Sequence, residues 1–174
     1  MEKAALLGQF PGAKRNVLTA AYFACFFCLG VCLAALGPIL LALTDQLDTT
    51  LDAIGLLFVL RSIGYLLGSA VGGAVVDRTR RTHGLVLVAL VLCAIGTAAL
   101  PGLHSYVLAA MAVSTWGVAM GVLDTAMNVM LMWLWGPARG EPYMQAMHFF
   151  FGVGAIGWPS AVESPPTGGR ASLG

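Results

Sequence analysis

The chain has 174 residues, of which 59% are hydrophobic and only 10% charged, where a soluble domain carries about a quarter charged residues. That much apolar surface cannot be hidden inside a water-soluble core of this size, so an ordinary soluble domain is excluded. The formal net charge is +1 and no Lys/Arg-rich block stands out, which removes the electrostatic footprint of a nucleic-acid binder.

In chain order, residues 1–16 form a short N-terminal segment whose Lys3, Lys14 and Arg15 make a basic flank to the first apolar run, about 17–43. A signal peptide would have an apolar region of roughly 7–15 residues. This run is far longer and reads as a spanning helix, since a hydrocarbon core about 30 Å thick needs roughly 20 apolar residues. Further runs follow at about 51–76, 84–100, 106–134 and 143–162, the last interrupted near Pro159. The expectation is an all-α membrane protein of about five transmembrane helices. Residues 163–174 (ESPPTGGRASLG) turn abruptly to Pro, Gly and Ser, the chemistry of a linker or disordered tail. A truncated or misread gene model is expected there in preference to a natural terminus.

The connectors alternate in charge. Asp45 and Asp48 lie after the first run, Arg78, Arg80 and Arg81 after the second, neither Lys nor Arg after the third, and Arg139 beside Glu141 after the fourth. By the positive-inside rule the N-terminus, the second connector and the fourth are cytoplasmic. Tyr22, Tyr106, Trp133, Trp135 and Tyr143 fall near span ends, as interfacial aromatics do. The four cysteines, Cys25, Cys28, Cys32 and Cys93, all lie in apolar runs and read as small packing residues. No His or fourth Cys near the first three completes a tetrahedral metal set.

In the second run Gly64, Gly68 and Gly72 recur every fourth residue, giving a face that another helix can approach closely, with Arg61 on the same face. An arginine inside a span needs an acid, a carbonyl or water. The fourth run supplies Gly117, Gly121, Asp124 and Asn128 as one small and polar stripe. Counted from the cytoplasmic ends at about 1.5 Å per residue, Asp124 lies about 15 Å deep and Arg61 about 23 Å deep. A buried Arg61–Asp124 ion pair is one expectation, and an Asp124 that binds a coupling cation or proton when unpaired is the other. In the fifth run Gln145, His148 and Gly152 share a face; Gln and His would be costly against lipid, so a wet cavity or a helix contact is expected. Gly37–Pro38 should kink the first helix or end its regular hydrogen bonding, for gating or for packing.

The stretch GGAVVDRTRR, with Gly73, Asp77, Arg78, Arg80 and Arg81, resembles the cytoplasmic loop between the second and third helices of the major facilitator superfamily. Within it, RSIGYLLGSAVGG (61–73), MGVLDTAMNVMLMWLWG (120–136) and PYMQAMHFFFGVGA (142–155) are similar to the sodium-dependent glucose transporter group. The resemblance implies a partial N-terminal six-helix bundle of the major facilitator fold. It implies uptake of glucose or a related small polar solute by alternating access, with sodium or a proton as candidate coupling ion and the plasma membrane as location. Asp124, Asn128, Gln145 and His148 would line the pathway, while Arg61 and the loop charges Asp77, Arg78, Arg80 and Arg81 would serve gating and bundle integrity. Members of the family have two six-helix halves with solute bound between them, so a missing C-terminal half of the same transporter is the implied partner. The competing expectation is a truncated membrane protein that does not transport. An enzyme is not expected: neither a nucleophile–base set nor HExxH is present, and no cofactor motif is read.

Overall fold

The computed structural model describes residues 11–79 and 82–162. Arg80, Arg81, the first ten residues and the 163–174 tail lie outside them. Five long helices follow one another: α1 (Gly12–Gln46), α2 (Leu51–Arg78), α3 (Thr82–Ala99), α4 (Tyr106–Trp135) and α5 (Pro137–Val162), with a 3-10 turn at Leu100–Gly102. Among the described residues α1, α2, α4 and the segment Thr82–Gly102 are each long and apolar enough to cross a bilayer. With 26 residues, α5 has the length to cross, but it opens on a polar first turn and a half and carries Gln145 and His148.

Local chemistry sets the helix boundaries. At the start of α2 the Thr50 hydroxyl accepts the Ala53 N–H at 3.3 Å, and Asp52 in the first turn and Arg78 in the last complement the helix dipole. Asp48 turns the chain between α1 and α2 at φ 47°, a conformation that Asp tolerates better than most residues. On the same side of the bundle, the Gln46 side-chain amide donates to the Leu103 carbonyl at 2.9 Å and the Tyr106 hydroxyl to the Ala53 carbonyl at 2.8 Å. The helix α1 runs on through the exposed pair Gly37–Pro38, so of the two expectations for this pair, a bend or an end to the helix, the second is not met.

The fourth connector is much shorter than its polar composition suggests. Gly136, at φ 74° and ψ 166°, ends α4, and Pro137 opens α5 at once. Proline suits that first helical position because its missing N–H is not needed there. The Gly136 carbonyl then accepts the Gly140 N–H at 2.8 Å, and residues 137–142 are helical instead of loop.

Two parallel seams organise the bundle. Along α1 and α5, Phe23 stacks on Phe150, Gly30 lies on the backbone of Phe151 and Ala155, and Gly154 lies on that of Phe27. Along α2 and α4, Gly64, Gly68 and Gly72 meet Ser114, Val118 and Val122 in turn, while Gly117 and Gly121 meet Arg61 and Tyr65. In both seams position rises together on the two helices. The stripes are small for a steric reason: a Cβ at Gly68 would overlap the Val118 carbonyl oxygen, and one at Gly121 the Tyr65 oxygen. Central in the bundle, α4 touches all four other helices, and Trp116, Leu123, Met127, Met130, Leu131 and Leu134 are fully buried along it. Leu66, Leu67 and Val71 on α2 and Leu87, Val88, Val91 and Ile95 on α3 point outward, an apolar exterior suited to lipid.

Candidate functional site

Between the two seams lies a cavity of about 230 Å³. Phe26, Leu29 and Leu33 of α1 and Phe151 of α5 form its apolar walls, and Arg61, Tyr65, Met120, Asp124 and His148 bring polar and sulfur atoms from α2, α4 and α5. An apolar pocket with a few convergent polar groups is the usual form of a small-molecule site.

Asp124 is held from two sides. The Tyr65 hydroxyl donates to Oδ2 at 2.5 Å across the α2–α4 seam, and the Asn128 amide, one turn further along α4, donates to Oδ1 at 3.0 Å and to the Asp124 carbonyl at 2.9 Å. The glycines set this geometry. Only with Gly117 and Gly121 against the α2 backbone do the two helices come close enough for one phenol to span them. Each carboxylate oxygen has further lone-pair capacity, because an ionised Asp offers about four acceptor positions.

Arg61 does not pair with Asp124. Its guanidinium lies over the Trp116 ring at 5.2 Å, a terminal nitrogen reaches the Met120 sulfur at 3.5 Å, and its Nε is buried without a partner. Depth along the helices suggested an ion pair, but rotation about the helix axes decides otherwise. Tyr65, one turn beyond Arg61, occupies the position facing the carboxylate.

The expected pathway residues separate in the same way. Asp124 and His148 line the cavity, and His148 packs edge-on against Phe26 at 5.3 Å with Nδ1 2.9 Å from the Met144 carbonyl. Asn128 supports Asp124 from behind, and Gln145 is exposed and outside the cavity lining. Asp77 and Arg78 sit exposed at the end of α2, in its last turn. Tyr65, Trp116 and Met120 were not singled out from the sequence. Arg61, Tyr65 and Ser69 do recur at intervals of four beside the glycine stripe, a pattern that could have found Tyr65.

At the N-terminal end of α1 a second cluster ties three helices. Arg15 lies 4.2 Å over the Trp135 ring, Trp135 stacks on Tyr143 at 3.8 Å, and the Trp135 indole donates to the Thr19 hydroxyl at 2.9 Å. That hydroxyl donates in turn to the Arg15 carbonyl at 2.9 Å.

The family model described as Major Facilitator Superfamily matches residues 22–161. The mouse protein named sodium-dependent glucose transporter 1A is 35% identical over 134 residues, which are 77% of this chain and 31% of that protein. The rat sodium-dependent glucose transporter 1 is 38% identical over 149 residues, 85% of this chain and 30% of its own length. The zebrafish protein named major facilitator superfamily domain-containing protein 4A is 32% identical over 138 residues, 79% of this chain and 26% of its own. The chain therefore spans about a quarter to a third of the length of the relatives it matches. No solved structure matches it. With its apolar helices, glycine seams and family match over most of its length, the chain is a multi-pass integral membrane protein and belongs to the major facilitator superfamily.

Proposed function

We propose that this chain forms part of the solute pathway of a secondary transporter that carries a sugar or related small polar solute by alternating access across the plasma membrane. The observation that carries the reading is the cavity at which Arg61, Tyr65, Asp124 and His148 meet among apolar walls. The glucose-transporter names of several relatives support the sugar, and the remaining acceptor capacity of Asp124 supports a sodium ion or a proton as coupling cation. The rest of the pathway would come from a second bundle, since solute sites of such transporters lie between two helical repeats. A cytoplasmic N-terminus follows from the arginines of residues 77–81 and the positive-inside rule. On that face Asp77, Arg78, Arg80 and Arg81 would hold the inner gate.

Radiolabelled hexose uptake tests this reading in cells expressing the product of the complete transcript, with and without external sodium and normalised to surface expression. Asp124→Asn should lower cation-dependent uptake by about 10- to 100-fold, the scale of one charged interaction of about 1.5–3 kcal/mol. A surface-expressed protein with no hexose uptake above background would sink the sugar reading. Undiminished uptake in Asp124→Asn would remove Asp124 from the pathway.

A further inference from the structure

A neutral sugar would leave the Arg61 charge in the cavity without a directly paired anion. Arginine at the middle of a span costs on the order of 2.5–3.5 kcal/mol even by the mildest scale, so its surroundings normally supply an anion or several acceptors. Here they supply a thioether, which is a weak acceptor, and the face of Trp116. The Arg61 Nε has no partner, and neither does the buried indole N–H of Trp116 beneath the guanidinium. Asp124 is the one carboxylate among the described residues that line the cavity, and its two oxygens are turned to Tyr65 and Asn128. The cavity thus holds a guanidinium that the one carboxylate beside it does not pair with. Its volume equals about seven or eight waters, the scale of a small polyhydroxy solute.

We propose that the preferred solute is a sugar acid whose carboxylate docks on Arg61 while its hydroxyls meet Asp124, Tyr65 and His148. The Arg61 guanidinium lies 5.2 Å from the centre of the Trp116 ring, and the N–H fork of a guanidinium can bind a carboxylate through two parallel hydrogen bonds. The assignment rests on the transporter reading of the same cavity and adds the charge of the solute to it.

The test is direct binding of radiolabelled gluconate and radiolabelled glucose, by scintillation proximity, to the product of the complete transcript in lipid nanodiscs. Gluconate should bind at least about tenfold more tightly than glucose, the least that a charge-assisted pair contributes. Arg61→Gln should abolish that ratio. Arg61→Lys should keep part of it, because the charge survives and the fork does not. If Arg61→Gln fails to fold, the wild-type ratio and Arg61→Lys decide. Equal affinities in the wild type, or a ratio that survives in Arg61→Gln, overturn the carboxylate assignment and leave the sugar reading standing. Binding of neither ligand overturns both.

Discussion

Replacing Gly68 with alanine adds one methyl group at the tightest part of the α2–α4 seam. The new Cβ would overlap the Val118 carbonyl oxygen and lie 2.8 Å from its carbonyl carbon and Cα. These are backbone atoms in the middle of α4, so no side-chain rotation relieves the contact and the helices must separate. Against backbone atoms that cannot rotate away, forced overpacking costs the upper part of its usual range, about 2–3 kcal/mol, against which the better helix propensity of alanine returns about 0.8–1 kcal/mol, leaving a net loss of roughly 1–2 kcal/mol. Gly55 is the internal control: it lies in the same helix, and a Cβ there meets nothing within 4 Å. Fluorescence-detected size-exclusion after heating gives melting temperatures for both variants in detergent. For a chain of this size Gly68→Ala should melt roughly 2–8 °C below wild type, while Gly55→Ala should melt at or slightly above it. If the two variants melt together, the close helix approach at Gly68 does not hold the bundle together and the argument from the glycine stripe fails.

Tyr65→Phe should destabilise the bundle by about 1.5–3 kcal/mol, because Asp124 loses its 2.5 Å donor and keeps only Asn128. The double variant with Asp124→Asn should cost clearly less than the sum of the two single changes; effects that add within about 0.5 kcal/mol would show that the bond contributes nothing. Gly136→Ala should cost about 1–3 kcal/mol, since φ 74° with ψ 166° is a conformation essentially confined to glycine. Gly102→Ala, at a position with open space around it, should leave the melting temperature near that of wild type, and equal melting of the two would contradict the strain at Gly136.

The all-helical bundle was legible because apolar runs of spanning length leave little freedom in a bilayer. The glycine stripes were legible too: a period of four fixes a face, and a face made only of hydrogen atoms has one steric use. Spacing does not fix how a helix is rotated against its neighbour. Arg61 and Asp124 therefore looked like partners from their depths alone, although Tyr65 takes the carboxylate and Trp116 the cation. The early start of α5 was written in Gly136–Pro137, a helix stop followed directly by a helix start, but the polar residues 138–142 hid it. Gln145 and His148 share a stripe in the sequence, yet only His148 reaches the cavity, because they lie about 60° apart around the helix and the cavity wall of α5 is narrow.

The parallel seams also fix an order of assembly during synthesis. Parallel neighbours cannot be consecutive in a chain that crosses the bilayer back and forth, so α2 emerges from the ribosome long before α4, and α1 before α5. Until α4 arrives, the Gly64–Gly68–Gly72 face of α2 has no partner helix and Arg61 has no indole to rest on. The Asp124 carboxylate then enters the membrane on α4 and finds Tyr65 already there. The least lipid-compatible groups of α2 and α4 thus gain their partners only when α4 inserts, and an interruption between α3 and α4 would strand an arginine-bearing helix in lipid, a ready target for membrane quality control.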